Sequence, residues 1–364
     1  MRGARLIMAV AALAGLVACA PREGVLIPVA DLPPSVPTVD ILAATTRAPS
    51  DAPGVVFTGE RGDSLSFANV VVSIPPDRTP GSLQWPSGPQ ANPQREFAVA
   101  EIAPVPRADV GAWLARSGKR RVLVFVHGFN TRFDASVFRF AQIVHDMDAG
   151  LAPVLFSWPS RGRIVDYVYD RESANFSRSD LAYVLTAAAR SPKVDEVIVM
   201  AHSMGAWLTV EALRQMALRD GRIPSKISSV VLASPDLDVD VFRRQVEEMG
   251  SHRPAITIFV SRTDHALSVS SLISGGITRV GAIDLAQEPY RSQLEGAKGI
   301  TVVDLTAVQN GDSLNHSKFA TSPEIVQALG TRVMSGQNFV EPGESLIGEV
   351  ITAPIRVVTG GMRN

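Results

Sequence analysis

Ser203 lies in AHSMG (201–205), directly after the Val- and Ile-rich run Val194–Met200. It comes directly before AWLTVEALRQMALR, whose apolar residues recur at helical spacing. A strand, a five-residue turn and a helix, with serine in the turn, make a nucleophile elbow. The sharp turn lifts the hydroxyl clear of the sheet. It also sets the next backbone N–H, that of Met204, at a helix N-terminus where an oxyanion can be held. The usual pattern is G-x-S-x-G; Ala201 stands for the first glycine and is small enough to keep the tight approach. Serine at this place also fits a plain N-cap, so the reading turns on what else the chain supplies.

Acyl transfer on serine needs a base, an acid that orients the base, and two oxyanion donors. On sheets with an elbow the acid follows the serine and the histidine comes last. Of the six histidines, His127 and His145 precede Ser203, His202 adjoins it on the turn, and His252 and His265 flank a strand-like run. His316, in NHSKFATSPEIV, follows the last strand-like run, where the base is required; its bland alternative is a loop histidine or helix cap. Two acids compete. Asp264 closes AITIFVSRTD and Asp236 closes SSVVLASPD, each just past a strand's C-terminal end, where open α/β sheets place ligands. Either also fits an N-cap. Asp264 follows the penultimate strand, the more usual place, whereas capping accounts for Asp236 without chemistry. Asp238 and Asp240 read as first-turn helix charges. His127-Gly128-Phe129-Asn130 closes VLVFVHGFN and resembles the oxyanion-loop motif of lipases and esterases. There the glycine permits close backbone approach, the Phe129 N–H is a second donor beside that of Met204, and His127 holds the loop by hydrogen bonding.

The elements that position these residues alternate. Strands are expected at 122–128, 153–158, 196–201, 227–233, 255–261 and 300–306, with helices at 133–148, about 172–190, 204–219, 238–249, 268–274 and 322–334. Near-continuous apolar strands with helical crossovers indicate an α/β fold: a mainly parallel central sheet with helices on both faces. The short apolar runs VVFT, FANVVVSI and FAVAEIA within 55–103 predict antiparallel strands on its N-terminal side. Trp158, Tyr167, Tyr169, Asp170, Arg171 and Glu172 either line a pocket or form a polar network beneath it. The insertion 265–299 is placed to border the site.

With 46% hydrophobic and 20% charged residues the chain is globular, and a net charge of −1 gives no nucleic-acid surface. A single cysteine excludes internal disulfides and cysteine-based metal sites. No metal cluster, P-loop or dinucleotide fingerprint is present, so no metal or cofactor is expected. Two arginines in Met1–Arg5 and the apolar run Leu6–Val17, too short to span a bilayer, read as an export signal. Leu16-Val17-Ala18-Cys19 resembles the bacterial lipobox, in which Cys19 is lipidated and begins the mature chain; the rival is ordinary cleavage after Ala20. The expected division is a lipoprotein signal peptide (1–18), a Pro-rich flexible tether (19–54), an α/β domain (55–334) and a tail (335–364) that no pattern places. The protein is then expected at the bacterial cell envelope, exported and membrane-anchored through Cys19.

VFVHGFNT, LFSWPSRG, YDRESANFSRSDL, VMAHSMGAWLTVEAL, ASPDLDVDVF, VSRTDHALSVS and LNHSKFATSP, in this order, resemble a largely uncharacterised bacterial group of α/β hydrolases in the esterase/lipase superfamily. With VFTGERG and VSIPP the resemblance covers residues 55–334. It implies an α/β-hydrolase fold with Ser203 as nucleophile, His316 as base, Asp264 as acid and Phe129 and Met204 as oxyanion donors. The implied activity is a serine hydrolase cleaving carboxylic esters of small molecules or lipids through an acyl-enzyme. An acyltransferase would use the same triad with an alcohol or amine in place of water. A non-enzymatic binding protein on the same scaffold would have no use for the triad.

Overall fold

The computed structural model describes residues 23–290, 298–309, 312–335 and 356–359. Its centre is a ten-stranded sheet in the order β10-β9-β8-β7-β6-β4-β5-β1-β2-β3. The strands are β1 (Thr38–Pro49), β2 (Phe57–Ser73), β3 (Ala98–Pro104), β4 (Arg121–Val126), β5 (Ala152–Ser157), β6 (Glu196–His202), β7 (Ile227–Ala233), β8 (Ala255–Val260), β9 (Ile300–Asp304) and β10 (Arg356–Thr359). From β9 through β1 neighbouring strands run parallel. β2 and β3 add antiparallel strands on the N-terminal side, and β10 pairs antiparallel with β9 at the other edge. This is the α/β-hydrolase architecture.

Nine helices among the described residues accompany the sheet: α1 (Val110–Arg116), α2 (Phe133–Met147), α3 (Tyr167–Phe176), α4 (Arg178–Arg190), α5 (Met204–Asp220), α6 (Val239–Met249), α7 (His265–Ile273), α8 (Lys318–Thr321) and α9 (Pro323–Ser335). Buried strands carry apolar residues on both faces because each face is covered. In β4, Val122, Val124 and Val126 enter the core under α4, α5 and α6, while Leu123 and Phe125 enter the core under α2 and α9. β6 divides in the same way, with Val197 and Val199 on one face and Ile198 and Met200 on the other.

Two expectations need correction, and part of the unplaced tail finds its position. Residues 38–49, assigned to a flexible tether, form β1 inside the sheet, paired with β2 and β5. Ile41, Leu42, Ala43 and Ala44 there are buried. The prolines that suggested a tether lie before this strand, and its apolar run is a fully enclosed strand without the alternation that marks an exposed one. Phe57 and Thr58 of VVFT and FANVVVS (67–73) lie on one long strand, β2, with the polar segment between them still pairing across a register shift. The VITAPIRVV run of the unplaced tail contributes β10, whose antiparallel partner is β9. Cys19 and the expected signal peptide (1–18) lie outside the described residues.

Candidate active site

Ser203 follows β6 and holds the N-cap position of α5, without a side-chain cap hydrogen bond, at φ 53° and ψ −123°, a conformation that L-residues rarely adopt. Its backbone is braced from β7: the Ser203 N–H donates to Ala233 O (3.0 Å), and the Asp236 N–H donates to Ser203 O (3.2 Å). Two glycines allow the turn to sit so tightly. A Cβ on Gly205 would lie 2.2 Å from His127 O, and one on Gly128 would lie 2.8 Å from Ser203 Cβ. The first turn of α5 therefore rests on the end of β4, which a larger residue at 205 would push away. Asn130, Ser234 and Asn315 also have positive φ, so strained backbone gathers on the loops around Ser203.

His316 reaches this edge on the loop between β9 and α8. Its N–H donates to Asp312 Oδ1 (2.7 Å), and its carbonyl lies 3.1 Å from His202 Nε2, with the two rings 4.5 Å apart. Its Nδ1 lies 2.7 Å from Asp264 Oδ2. Asp264 is buried and also caps α7, where its Oδ1 accepts from the Leu267 N–H (3.0 Å). Both readings of Asp264 hold at once, because its two oxygens serve different donors. Asp236 serves neither as a cap nor as a partner of His316. Its carboxylate takes Ser270 Oγ (2.6 Å) and Tyr167 Oη (3.0 Å) and pairs with buried Arg279 (Nε at 3.1 Å). The cap of α6 is Asp238, which accepts from Val241 N–H (2.8 Å). The expected capping role of Asp236 thus belongs two residues further on.

The flank that carries the expected oxyanion donors is built differently. His127 is buried and stacked on Trp158 (centroids 4.8 Å), its Nδ1 is 2.8 Å from Gly128 O, and its Nε2 is 3.3 Å from Arg47 Nη2. Burial first, then the Arg47 charge, lowers its pKa to about 3, so the ring is neutral. An arginine can only donate. Nε2 also lies 3.1 Å from the Trp158 carbonyl, so each ring nitrogen faces an acceptor; the Arg47 donor at Nε2 and the shorter contact at Nδ1 favour the proton on Nδ1, where it holds the Gly128 carbonyl. The peptide is planar and trans, so fixing that carbonyl also fixes the direction of the Phe129 N–H. That N–H makes no hydrogen bond among the described residues, and the Met204 N–H, first in α5, has no intrahelical acceptor.

Arg47 itself was hidden in the expected tether. It sits where the β1–β2 register shifts, a bulge that re-aims its side chain. Fully buried, it donates to Ser157 Oγ (2.9 Å), Thr58 O (3.1 Å), Ser160 O (2.9 Å) and Thr131 O (2.7 Å). Desolvation lowers its pKa to about 9, still cationic at neutral pH. Asp170 completes the network, accepting from Ser160 Oγ, Arg161 N–H (3.0 Å) and Asn130 N–H (3.3 Å). Of the aromatic and charged cluster singled out in the sequence, Trp158 and Asp170 thus brace the loop from below. Tyr167 turns to Asp236, Tyr169 stacks under Arg161 (3.6 Å), and Arg171 and Glu172 are exposed. A second residue missed in the sequence is Lys318, whose buried ammonium ties Thr263 Oγ1 (3.1 Å) to Leu305 O (3.1 Å) and so stitches the Asp264 loop to the end of β9.

A cavity of about 800 Å³ opens beside the elbow, lined by Gly128, Thr131, Arg139, His202, Leu83 and Phe319. His202 is neutral there, its pKa pushed well down by burial and by the neighbouring His316. Among the described residues no group of His, Cys, Asp and Glu is arranged to hold a metal ion.

The uncharacterized protein alr1448 of Nostoc sp. is 26% identical over 130 residues, a match covering 29% of this chain and 34% of that protein. The match thus spans about a third of the relative's length. Among solved structures, Est1E from Butyrivibrio proteoclasticus aligns with a TM-score of 0.38 at 10% identity, covering 74% of this chain and 96% of that one. The Pyrobaculum calidifontis esterase aligns with a TM-score of 0.36 at 10% identity, covering 85% and 87%. A family model described as an alpha/beta hydrolase of unknown function (DUF900) matches residues 105–332, from the approach to α1 through His316 and into α9, and the chain belongs to that family.

Proposed function

We propose that this chain is a serine ester hydrolase, exported and held at the cell envelope by a lipid on Cys19. The observation that carries the chemistry is the 2.7 Å contact between His316 Nδ1 and Asp264 Oδ2, beside a serine held at positive φ. A carboxylate at Nδ1 keeps the proton on that nitrogen and leaves Nε2 free to act as a base. Nε2 takes the Ser203 hydroxyl proton as Oγ forms a bond to the ester carbonyl carbon. The carbonyl electron pair moves to oxygen, and the oxyanion is held by the N–H groups of Phe129 and Met204. The C–O bond to the alcohol breaks, and the alcohol leaves with the proton from Nε2. Water, deprotonated by the same nitrogen, then attacks the acyl-enzyme and releases the acid and the free serine.

A fluorophosphonate probe followed by peptide mapping tests this. Ser203 is the expected labelled residue, and Ser203→Ala is expected to abolish labelling and lower kcat on short p-nitrophenyl esters by roughly 10⁴–10⁶. In the same samples, Cys19→Ala is expected to take the labelled protein out of the membrane fraction or stall its precursor. Labelling that survives Ser203→Ala sinks the hydrolase reading.

A further inference from the structure

Large apolar side chains are exposed in two neighbouring segments. Ile164, Val165 and Val168 lie at the start of α3 and the turn before it, with Val165 79% and Val168 71% exposed. Val269, Leu272 and Ile273 lie on α7, with Leu272 78% exposed. Tyr167 Oη lies 3.0 Å from Ser270 Oγ, so the two segments touch. Their neighbours are the candidate active-site residues. The Tyr167 ring meets Phe129 edge-on (5.1 Å), α7 begins on Asp264, and the His265 N–H donates to the carbonyl of Leu314 (2.9 Å), itself half-exposed and two residues before His316. An apolar rim therefore flanks the loops that carry Phe129 and Asp264. Contiguous exposed apolar surface of this kind marks a contact with another apolar phase.

The position of the N-terminal segment identifies that phase. Glu23 pairs with Arg132 (3.7 Å), and Arg132 packs against Gly162, where a Cβ would lie 2.5 Å from Arg132 Cγ. Gly162 is two residues from Ile164. Cys19 is four residues before Glu23, a span of at most ~14 Å of extended chain. A lipid on Cys19 would enter a bilayer next to the rim. No described helix is long and apolar enough to cross a membrane, so contact at this rim would be interfacial.

We infer that the rim formed by Ile164–Val168 and Val269–Ile273 seats on the bilayer that holds the lipid anchor, so that Ser203 draws its ester from that membrane. This rests on the anchored ester-hydrolase reading above. The partner is a phospholipid surface and the substrate a lipid ester.

The test uses the full chain reconstituted into phosphatidylglycerol vesicles containing dibrominated phosphatidylcholine. Leu272→Trp introduces a reporter in the rim, and Leu218→Trp, exposed near the far end of α5, serves as the reference. Bromine is expected to quench the added fluorescence at 272 at least several-fold more than at 218. The Val165→Ser/Val168→Ser chain is expected to keep its kcat/KM on a soluble p-nitrophenyl ester and lose at least tenfold on phosphatidylglycerol in vesicles. Equal quenching at both positions, or no loss on vesicles, overturns the proposal. So does a detergent-solubilised dimer that Leu272→Ser converts to monomer, which would make the rim a contact between copies. Quenching does not depend on turnover, so a chain that is quenched at 272 but unlabelled by fluorophosphonate would fail only the hydrolase reading.

Discussion

Ser203 stands between two flanks of unlike construction. On the His316 flank a single carboxylate does two jobs, capping α7 with one oxygen and holding the imidazole with the other. On the flank of the proposed oxyanion loop a buried cation, Arg47, collects three carbonyls and the Ser157 hydroxyl and lies against His127 Nε2. In the proposed reaction the first flank holds a group that gains and loses a proton. The second holds backbone that must not move. A titrating group needs a charge beside it to stabilise the cation formed during attack. A fixed N–H needs only its peptide plane clamped, and a buried guanidinium with all its donors used provides this without titrating at working pH.

The contrast is tested first at Asp264. Asp264→Asn is expected to lower kcat by roughly 10⁴, the scale for losing the orienting acid. Asp236→Asn is expected to leave kcat unchanged and cost about 3 kcal/mol of stability, because it strips the counter-charge from buried Arg279. Urea unfolding and steady-state kinetics on both variants decide. An inactive but stable Asp236→Asn protein beside an active Asp264→Asn protein would exchange their roles.

Arg47→Met tests the other flank. It leaves several carbonyls and the His127 ring unsatisfied, so about 3–5 kcal/mol of stability is expected to be lost. In the protein that remains folded, a displaced Phe129 N–H is expected to lower kcat by roughly 10² with KM little changed. A variant that loses stability but keeps full kcat would show that Arg47 supports the fold and not the loop.

The smallest expected effect is a pH dependence of stability. His127 titrates near 3 when folded and near 6.5 when unfolded. Below the unfolded value the unfolded chain binds a proton that the folded chain does not, so stability is full above about pH 6.5 and falls as pH drops toward 3. The slope from this residue approaches about 1.4 kcal/mol per pH unit. His127→Asn, which can still donate toward Gly128 O, is expected to flatten the curve by that amount between pH 6 and 4. Denaturant titrations giving an unchanged slope would mean that the folded His127 is not held neutral.

The parts that were legible in the sequence are those set by local pattern. The β6–elbow–α5 unit depends on residues within about one strand and one helix of Ser203, and hydrophobic periodicity with two glycine-like positions is enough to mark it. The alternation from β4 to β9 is equally local, and each of the six strands read there falls on an observed one; β4, β5, β8 and β9 end one or two residues sooner, β7 coincides, and β6 runs one residue further. β1 escaped because a fully enclosed strand shows no alternation and followed a proline-rich stretch. Position favoured Asp264, after the penultimate strand, but could not exclude Asp236, which closes the loop after the adjacent strand.

What separates them is long-range. Asp264 meets His316 across 52 residues, and Asp236 meets Tyr167 across 69. Arg47 reaches Ser157 across 110 residues and His127 across 80, and neither distance leaves a trace in composition or spacing. By itself the sequence determined the turn at Ser203, the layer order and the pool of candidate acids and bases, because these follow from backbone sterics and apolar periodicity over short spans. Only the tertiary structure decided which carboxylate faces the imidazole and which cation lies beneath the loop at Gly128 and Phe129. A buried charge settles wherever the assembled sheet leaves enough donors and acceptors to satisfy it, and that inventory exists only after distant strands have met.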